Sequence, residues 1–317
     1  PAGDAVEAGA GPPSTTAPAP LASMAPAPPP SSPATATARG LPVVASFGGP
    51  GTGPGRFDRA RHLATSPSGD VYVADRTNRV QRFDAQGSWL DSFVAQTKNR
   101  PRGPLSNDIE YVIGLAVDHA GNVYVSLGYD VQVFTAAPEF KLDRVVRGVP
   151  GKLCYRDLAF DQSEQLYVRS HCSDEHVNAI VKLAKTGAVL KRIEEPATFE
   201  RASTGRVAVD GTGNLYAPRG YEYEILVLTP QGDVKTRIGR QGNAPGEFPS
   251  TYLGALAFDR GGTLHALHDG LVDRFDPTGR HLGALSLGEG CHPRDFSFAP
   301  DGDLWLLCSN AERVEKR

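Results

Sequence analysis

Residues 61–90, RHLATSPSGDVYVADRTNRVQRFDAQGSWL, decide the fold. Apolar and polar residues alternate there in short runs, and each run is stopped by a turn. The periodicity predicts strands at 62–66, 71–74, 80–83 and 88–94. Between them, Ser66-Pro67-Ser68-Gly69-Asp70 and Asp84-Ala85-Gln86-Gly87 are tight turns. Four such antiparallel strands make one small sheet, which cannot bury both its faces alone, so copies of it must stack on one another.

The copies are found through the second strand. Val71-Tyr72-Val73 recurs as Val123-Tyr124-Val125, Leu166-Tyr167-Val168, Leu215-Tyr216-Ala217, Leu264-His265-Ala266 and Leu304-Trp305-Leu306. The turn before it recurs as Asp118-His119-Ala120-Gly121-Asn122, Asp210-Gly211-Thr212-Gly213-Asn214, Asp259-Arg260-Gly261-Gly262-Thr263 and Ala299-Pro300-Asp301-Gly302-Asp303. Glycine at the fourth place suits a turn closed at positive φ, and Glu164 at that place in the third copy predicts strain. Steps of 52, 43, 49, 49 and 40 residues separate Tyr72, Tyr124, Tyr167, Tyr216, His265 and Trp305, in keeping with the blades of a β-propeller. First and second strands are nearly continuous apolar runs, as expected when neighbouring blades cover both faces.

The combination of Gly-x-Phe, an apolar strand ending in Asp, a glycine turn, Val-Tyr-Val-Ala-Asp, Asn-Arg-Val-Gln-Arg-Phe and Asp-x-x-Gly resembles the NHL repeat over residues 41–317. That resemblance implies a propeller and says little about activity, since such folds host unrelated chemistries.

Residues 1–40 are dominated by Pro, Ala, Ser, Thr and Gly, with only Asp4, Glu7 and Arg39 charged. The composition predicts a disordered linker. A Pro/Ala/Ser/Thr stalk that begins without Met or an apolar signal core is expected to space the module from a missing N-terminal membrane anchor or another domain, as in the sensor propellers of receptor-type bacterial Ser/Thr kinases.

The expected architecture for 41–317 is all-β, a six-bladed β-propeller of four-stranded antiparallel blades. Gly48, Gly51, Pro54, Gly55 and Phe57 repeat the spacing of Gly239, Gly242, Pro245, Gly246 and Phe248, so 43–47 stands where 234–238 stands. It is an outer strand placed ahead of the first blade. The sixth copy has three strands and then the chain stops, so the N-terminal strand completes the last blade and removes two exposed edges.

Cys154, Cys172, Cys291 and Cys308 occupy matching places in copies three and six, flanking the first two strands. Those places are neighbours in a hairpin, so the expected disulfides are Cys154–Cys172 and Cys291–Cys308, with four buried free thiols as the alternative. Disulfides point to an extracytoplasmic setting: secreted, periplasmic or cell-surface.

Residues preceding the six first strands share one rim of the channel. Arg61, His62, Arg156, Asp157, Arg206, Arg294 and Asp295 are expected there, with Arg219 and Tyr221 on loops after a second strand. Such a rim offers a bidentate grip on a carboxylate or phosphate. Alternatively, Arg156 with Asp157 and Arg294 with Asp295 neutralise each other. The expected partner is a protein, a glycan or a small anionic ligand, bound by a monomer without catalysis or cofactor.

The alternative is a metal-dependent lyase or hydrolase with zinc or calcium in the central channel. Resemblance to peptidylamidoglycolate lyase would imply a three-histidine zinc site drawn from His62, His171, His268 and His292. A gluconolactonase-type enzyme would need an axial Glu/Asn/Asp calcium cluster, where arginine is the commoner residue here. RNA binding, known among NHL propellers, fits poorly: the chain carries −3, the linker −1 of it, and a phosphate reader shows a basic excess.

Overall fold

The computed structural model describes residues 40–96, 111–128, 130–147, 155–172, 177–194, 205–287 and 290–317, excluding the side chains of 155, 171, 172, 177 and 178. The expected linker up to 39 and the Cys154–Cys172 bridge lie outside the described residues. Among the described residues, the chain forms six four-stranded antiparallel sheets in sequence order. In blade one the strands are His62–Thr65, Val71–Ala74, Arg79–Phe83 and Trp89–Val94. The first strands of the other blades are Gly114–Val117, Tyr155–Phe160, Ala208–Val209, Leu253–Phe258 and Pro293–Phe298. Each packs beside the next, and the last returns to His62–Thr65, so six inner strands close a ring around a channel.

One side chain organises the turn leading into the second strand. In blade two, Asp118 Oδ1 accepts the Asn122 backbone N–H at 2.8 Å, while Oδ2 accepts Asn122 Nδ2 at 2.9 Å and the Tyr124 hydroxyl at 3.3 Å. Blade four repeats this with Asp210, Asn214 and Tyr216. In blade five Asp259 takes the Thr263 N–H, and His265 Nε2 lies 3.1 Å from its other oxygen. The aspartate therefore serves the turn's donors and the polar tip of the aromatic residue on the next strand together, leaving neither buried without a partner. Histidine replaces tyrosine at 265 because its ring nitrogen reaches the same carboxylate.

Gly121 and Gly213 close these turns at φ 84. Glu164, at the same place in blade three, is held at φ 57, a conformation that costs a non-glycine residue about 1 kcal/mol. Its carboxylate accepts the His119 backbone N–H from blade two at 2.9 Å and pairs with Lys185, contacts that glycine has no atoms to make.

Closure follows the expected route. Ala45–Gly48 pairs antiparallel with Arg313–Lys316, which continues through Leu304–Cys308 to Pro293–Phe298. The strand starts two residues later than the sequence pattern suggests. Phe47 on it stacks on Phe83 of blade one at 4.2 Å and meets Trp305 of blade six edge-on at 5.7 Å. The two Pro-Gly-x-Phe loops match as well: Gly51 N–H donates to the Phe57 carbonyl and Gly242 N–H to that of Phe248, and both phenylalanines are buried. Among the described residues no helix is long and apolar enough to cross a membrane.

Candidate functional site

Chain direction puts the start of every first strand at one end of the channel. Three of these strands open with a β-bulge, where pairing shifts between Tyr155 and Leu158, Leu253 and Leu256, and Pro293 and Asp295. A bulge breaks the one-up, one-down alternation of a strand and re-aims a side chain. Both residues of Arg156-Asp157, Gly254-Ala255 and Arg294-Asp295, and of the unbulged Arg61-His62 and Gly205-Arg206, line one cavity of 270 Å³. Tyr111, Ile113 and Tyr252 complete its wall.

Arg206 works across the axis. From blade four its Nη1 donates to the Leu63 carbonyl of blade one at 3.0 Å and lies 3.3 Å from Asp295 Oδ1 of blade six, while Nη2 donates to the Phe296 carbonyl. Asp295 Oδ2 accepts the Leu63 N–H at 2.9 Å, and Oδ1 accepts the Phe296 N–H at 2.9 Å. This buried carboxylate is thereby committed to Arg206 and to backbone donors.

Arg156-Asp157 and Arg294-Asp295 form no close ion pair; each arginine acts on its neighbouring aspartate only at longer range, drawing its pKa down. Among the described residues, the guanidinium groups of Arg61, Arg156 and Arg294 take part in no hydrogen bond or ion pair; Arg61 instead lies 4.8 Å from the centre of the Tyr111 ring, and Arg61 Nε and Arg156 Nε are buried without a partner. Guanidinium stays charged in proteins. Burial lowers the pKa of both Arg61 and Arg156, and Arg294 lowers that of Arg61 further. Arg61 and Arg156 are half-buried and Arg294 is exposed; a partly desolvated cation without an ion-pair partner is costly unless a ligand supplies the charge.

The other titratable groups respond to that field. Burial, and then Arg294, Arg206 and Arg61, push His62 down to about 3, so its imidazole is neutral. Asp157 is pushed up to about 6 by burial and by Asp295, against the pull of Arg169, Arg206 and Arg156. The structure thus brings together Arg61, His62, Arg156, Asp157, Arg206, Arg294 and Asp295.

Arg219 and Tyr221 stand apart from this cavity. Arg219 is buried and held by Glu222 at 2.7 Å and Glu224 at 2.9 Å, and Tyr221 is exposed on the helical turn Gly220–Glu222. Of the four histidines considered for zinc, His62 lines the cavity. His268 is buried in blade five with Nε2 2.9 Å from Asp273 and its ring edge-on to Phe248; His292 is exposed, its N–H bonded to Asn310. The His171 side chain lies outside the described residues. Cys291 and Cys308 form a bonded pair with Cα atoms 4.9 Å apart, beside Glu315; sulfurs bonded to each other are not thiolate ligands.

Tyr111 and Tyr252 were not expected from the sequence. A signal for them exists: each lies two residues before the rim pair of a blade that has no rim arginine, Ile113-Gly114 in blade two and Gly254-Ala255 in blade five.

No protein-family model matches the chain, and no curated protein sequence matches it. Solved structures do resemble it. Virginiamycin B lyase from Staphylococcus aureus superposes with a TM-score of 0.57 at 14% identity, covering 81% of this chain and 79% of that one. A catalytically inactive variant of that lyase, with quinupristin, gives 0.58 at 14% identity over 84% and 81%. A protein of unknown function from Bacteroides caccae gives 0.54 at 12% identity over 79% and 83%. Likeness at such identities shows the propeller fold; it leaves the NHL resemblance without a matching family model.

Proposed function

We propose that this propeller is a non-catalytic binding or sensor module that takes a small anionic ligand into the arginine-lined end of its channel. One observation carries the proposal: three guanidinium groups, Arg61, Arg156 and Arg294, face one cavity without a hydrogen bond or ion pair among the described residues. A bidentate carboxylate or phosphate would supply the missing acceptors and offset the charge. The cavity's 270 Å³ suits a small molecule rather than a glycan chain or a folded partner. An extracytoplasmic setting accords with the Cys291–Cys308 pair.

Isothermal titration calorimetry with inorganic phosphate, sulfate and a set of carboxylates tests the proposal. Binding of at least one anion at millimolar concentration or below, weakened by added salt and abolished in the Arg61→Gln/Arg156→Gln/Arg294→Gln protein, is the expected result. No heat from any of these anions at low ionic strength would remove it.

A further inference from the structure

Resting on that anion-binding proposal, we infer that the cavity is shaped for a small aliphatic dicarboxylate held at both ends, one carboxylate by Arg61 and Arg294 and the other by Arg156 beside Asp157. Ring order supplies the first argument. Blades six and one are neighbours, because the first strands Pro293–Phe298 and His62–Thr65 pack together, whereas blade three faces blade six across the channel. The three free cations therefore divide into an adjacent pair and a single group on the far side.

Electrostatics divide them in the same way. After burial, Arg294 is the largest influence on Arg61, and it acts on His62 as well. Arg156 responds to Asp157, to Tyr111, which acts on Arg61 too, and to Arg169, but not to Arg294. Two centres of positive charge, rather than one, await an anion.

The wall between them is the second argument. Blades two, four and five contribute Tyr111 and Tyr252 together with Ile113, Gly205, Gly254 and Ala255, so the two tyrosine hydroxyls are the polar groups of that span, Arg206 being already occupied by two carbonyls and Asp295. A span of tyrosine, aliphatic and glycine surface without a charge of its own between two guanidinium poles suits a short methylene chain between two carboxylates. A compact oxyanion such as phosphate reaches one pole and leaves the other unpaired. Below about pH 6 Asp157 keeps its proton and donates a hydrogen bond to the carboxylate at its pole, so at acid pH the far end recognises an acceptor through both a cation and a neutral acid.

Calorimetric titration of the full chain near neutral-to-acid pH and at low salt tests this with butyrate, succinate, glutarate, adipate and inorganic phosphate. One of the three dicarboxylates is expected to bind about tenfold or more tightly than butyrate, as a second charge-assisted contact implies. Arg156→Gln and Arg294→Gln should each bring that dicarboxylate down to the level of butyrate. Neither guanidinium has a hydrogen bond or close ion pair to lose, so the melting temperatures of both variants should stay close to that of the wild type, and the wild-type series alone decides if a variant fails to fold. Butyrate or phosphate binding as tightly as the best dicarboxylate overturns the two-ended site while leaving the anion-binding proposal intact. Absence of binding by every anion overturns both.

Discussion

Asp157 and His62 sit in the same cavity and are driven to the neutral form by related causes, with opposite consequences for pH. Burial raises the Asp157 carboxyl from 3.8 to about 6. Between those values the folded chain holds a proton that the unfolded chain has released, so stability falls as pH climbs through that window and then levels off. Two units correspond to roughly 3 kcal/mol before any solvent screening. Asp157→Asn, which cannot ionise, should therefore melt at a higher temperature than the wild type near neutrality and lose that advantage by about pH 4, the unfolded value. Thermal unfolding at the two pH values checks it; an equal difference at both would mean that Asp157 ionises normally. His62 moves the other way. Its folded value of about 3 lies below the ordinary 6.5, so it costs stability as pH falls from 6.5. Nitrogen-detected NMR of the imidazole should show one neutral form throughout the physiological range, and a titration midpoint near the ordinary value would contradict the burial argument.

At the scale of the strand, the cavity depends on where inner strands carry no side chain. A Cβ on Gly114 would stand 2.1 Å from the Arg156 carbonyl oxygen, and one on Gly205 2.4 Å from that of Gly254. Backbone cannot yield as a flexible side chain does, so blades two and four need glycine for the inner strands to close up. At Gly254 the nearest atom is 3.4 Å away, an ordinary contact. Gly114→Ala should thus cost about 1–3 kcal/mol through overpacking and disturb the Arg156 pole, whereas Gly254→Ala should change stability by less than about 0.5 kcal/mol. Chemical denaturation of the two variants side by side reads the difference, and equal losses would show that the inner strands can shift apart. These strands also mark the limit of sequence legibility. The Val-Tyr-Val recurrence and the Asp-to-Tyr turn are written in residue types, so six blades and the rim dipeptides could be read directly. The bulges at Tyr155–Leu158, Leu253–Leu256 and Pro293–Asp295 are not, because they arise from pairing with a second strand. Arg219 fails for a related reason: its place after a second strand matched the rim pattern, but Glu222 and Glu224, three and five residues on, capture the guanidinium locally.

Over the whole molecule, the ring is only as continuous as the one junction that chain connectivity does not make. Five blades are built from consecutive strands, while blade six is completed by Ala45–Gly48 across the full length of the domain. Four main-chain partners from Ala45↔Lys316 to Gly48↔Arg313 hold that strand. Phe47 adds the apolar anchor, joining Phe83 of blade one to Trp305 of blade six. Lys316 reaches further, to the Ala85 carbonyl of blade one at 3.3 Å. Because Phe47 is half-buried, Phe47→Ala should cost about 2–3 kcal/mol, below the usual range for a fully buried phenylalanine. Trp89→Ala, on the outer strand of blade one and 40% exposed, should cost less than about 1 kcal/mol. The more telling measurement is where the loss falls. If closure is the weakest link, hydrogen exchange in Phe47→Ala should accelerate first at residues 45–48 and 313–316, with blades three and four unchanged, because opening that seam needs no other blade to unfold. Uniform acceleration across all six blades would mean that the ring opens only as a unit, and that the borrowed strand is as cooperative as the strands it joins.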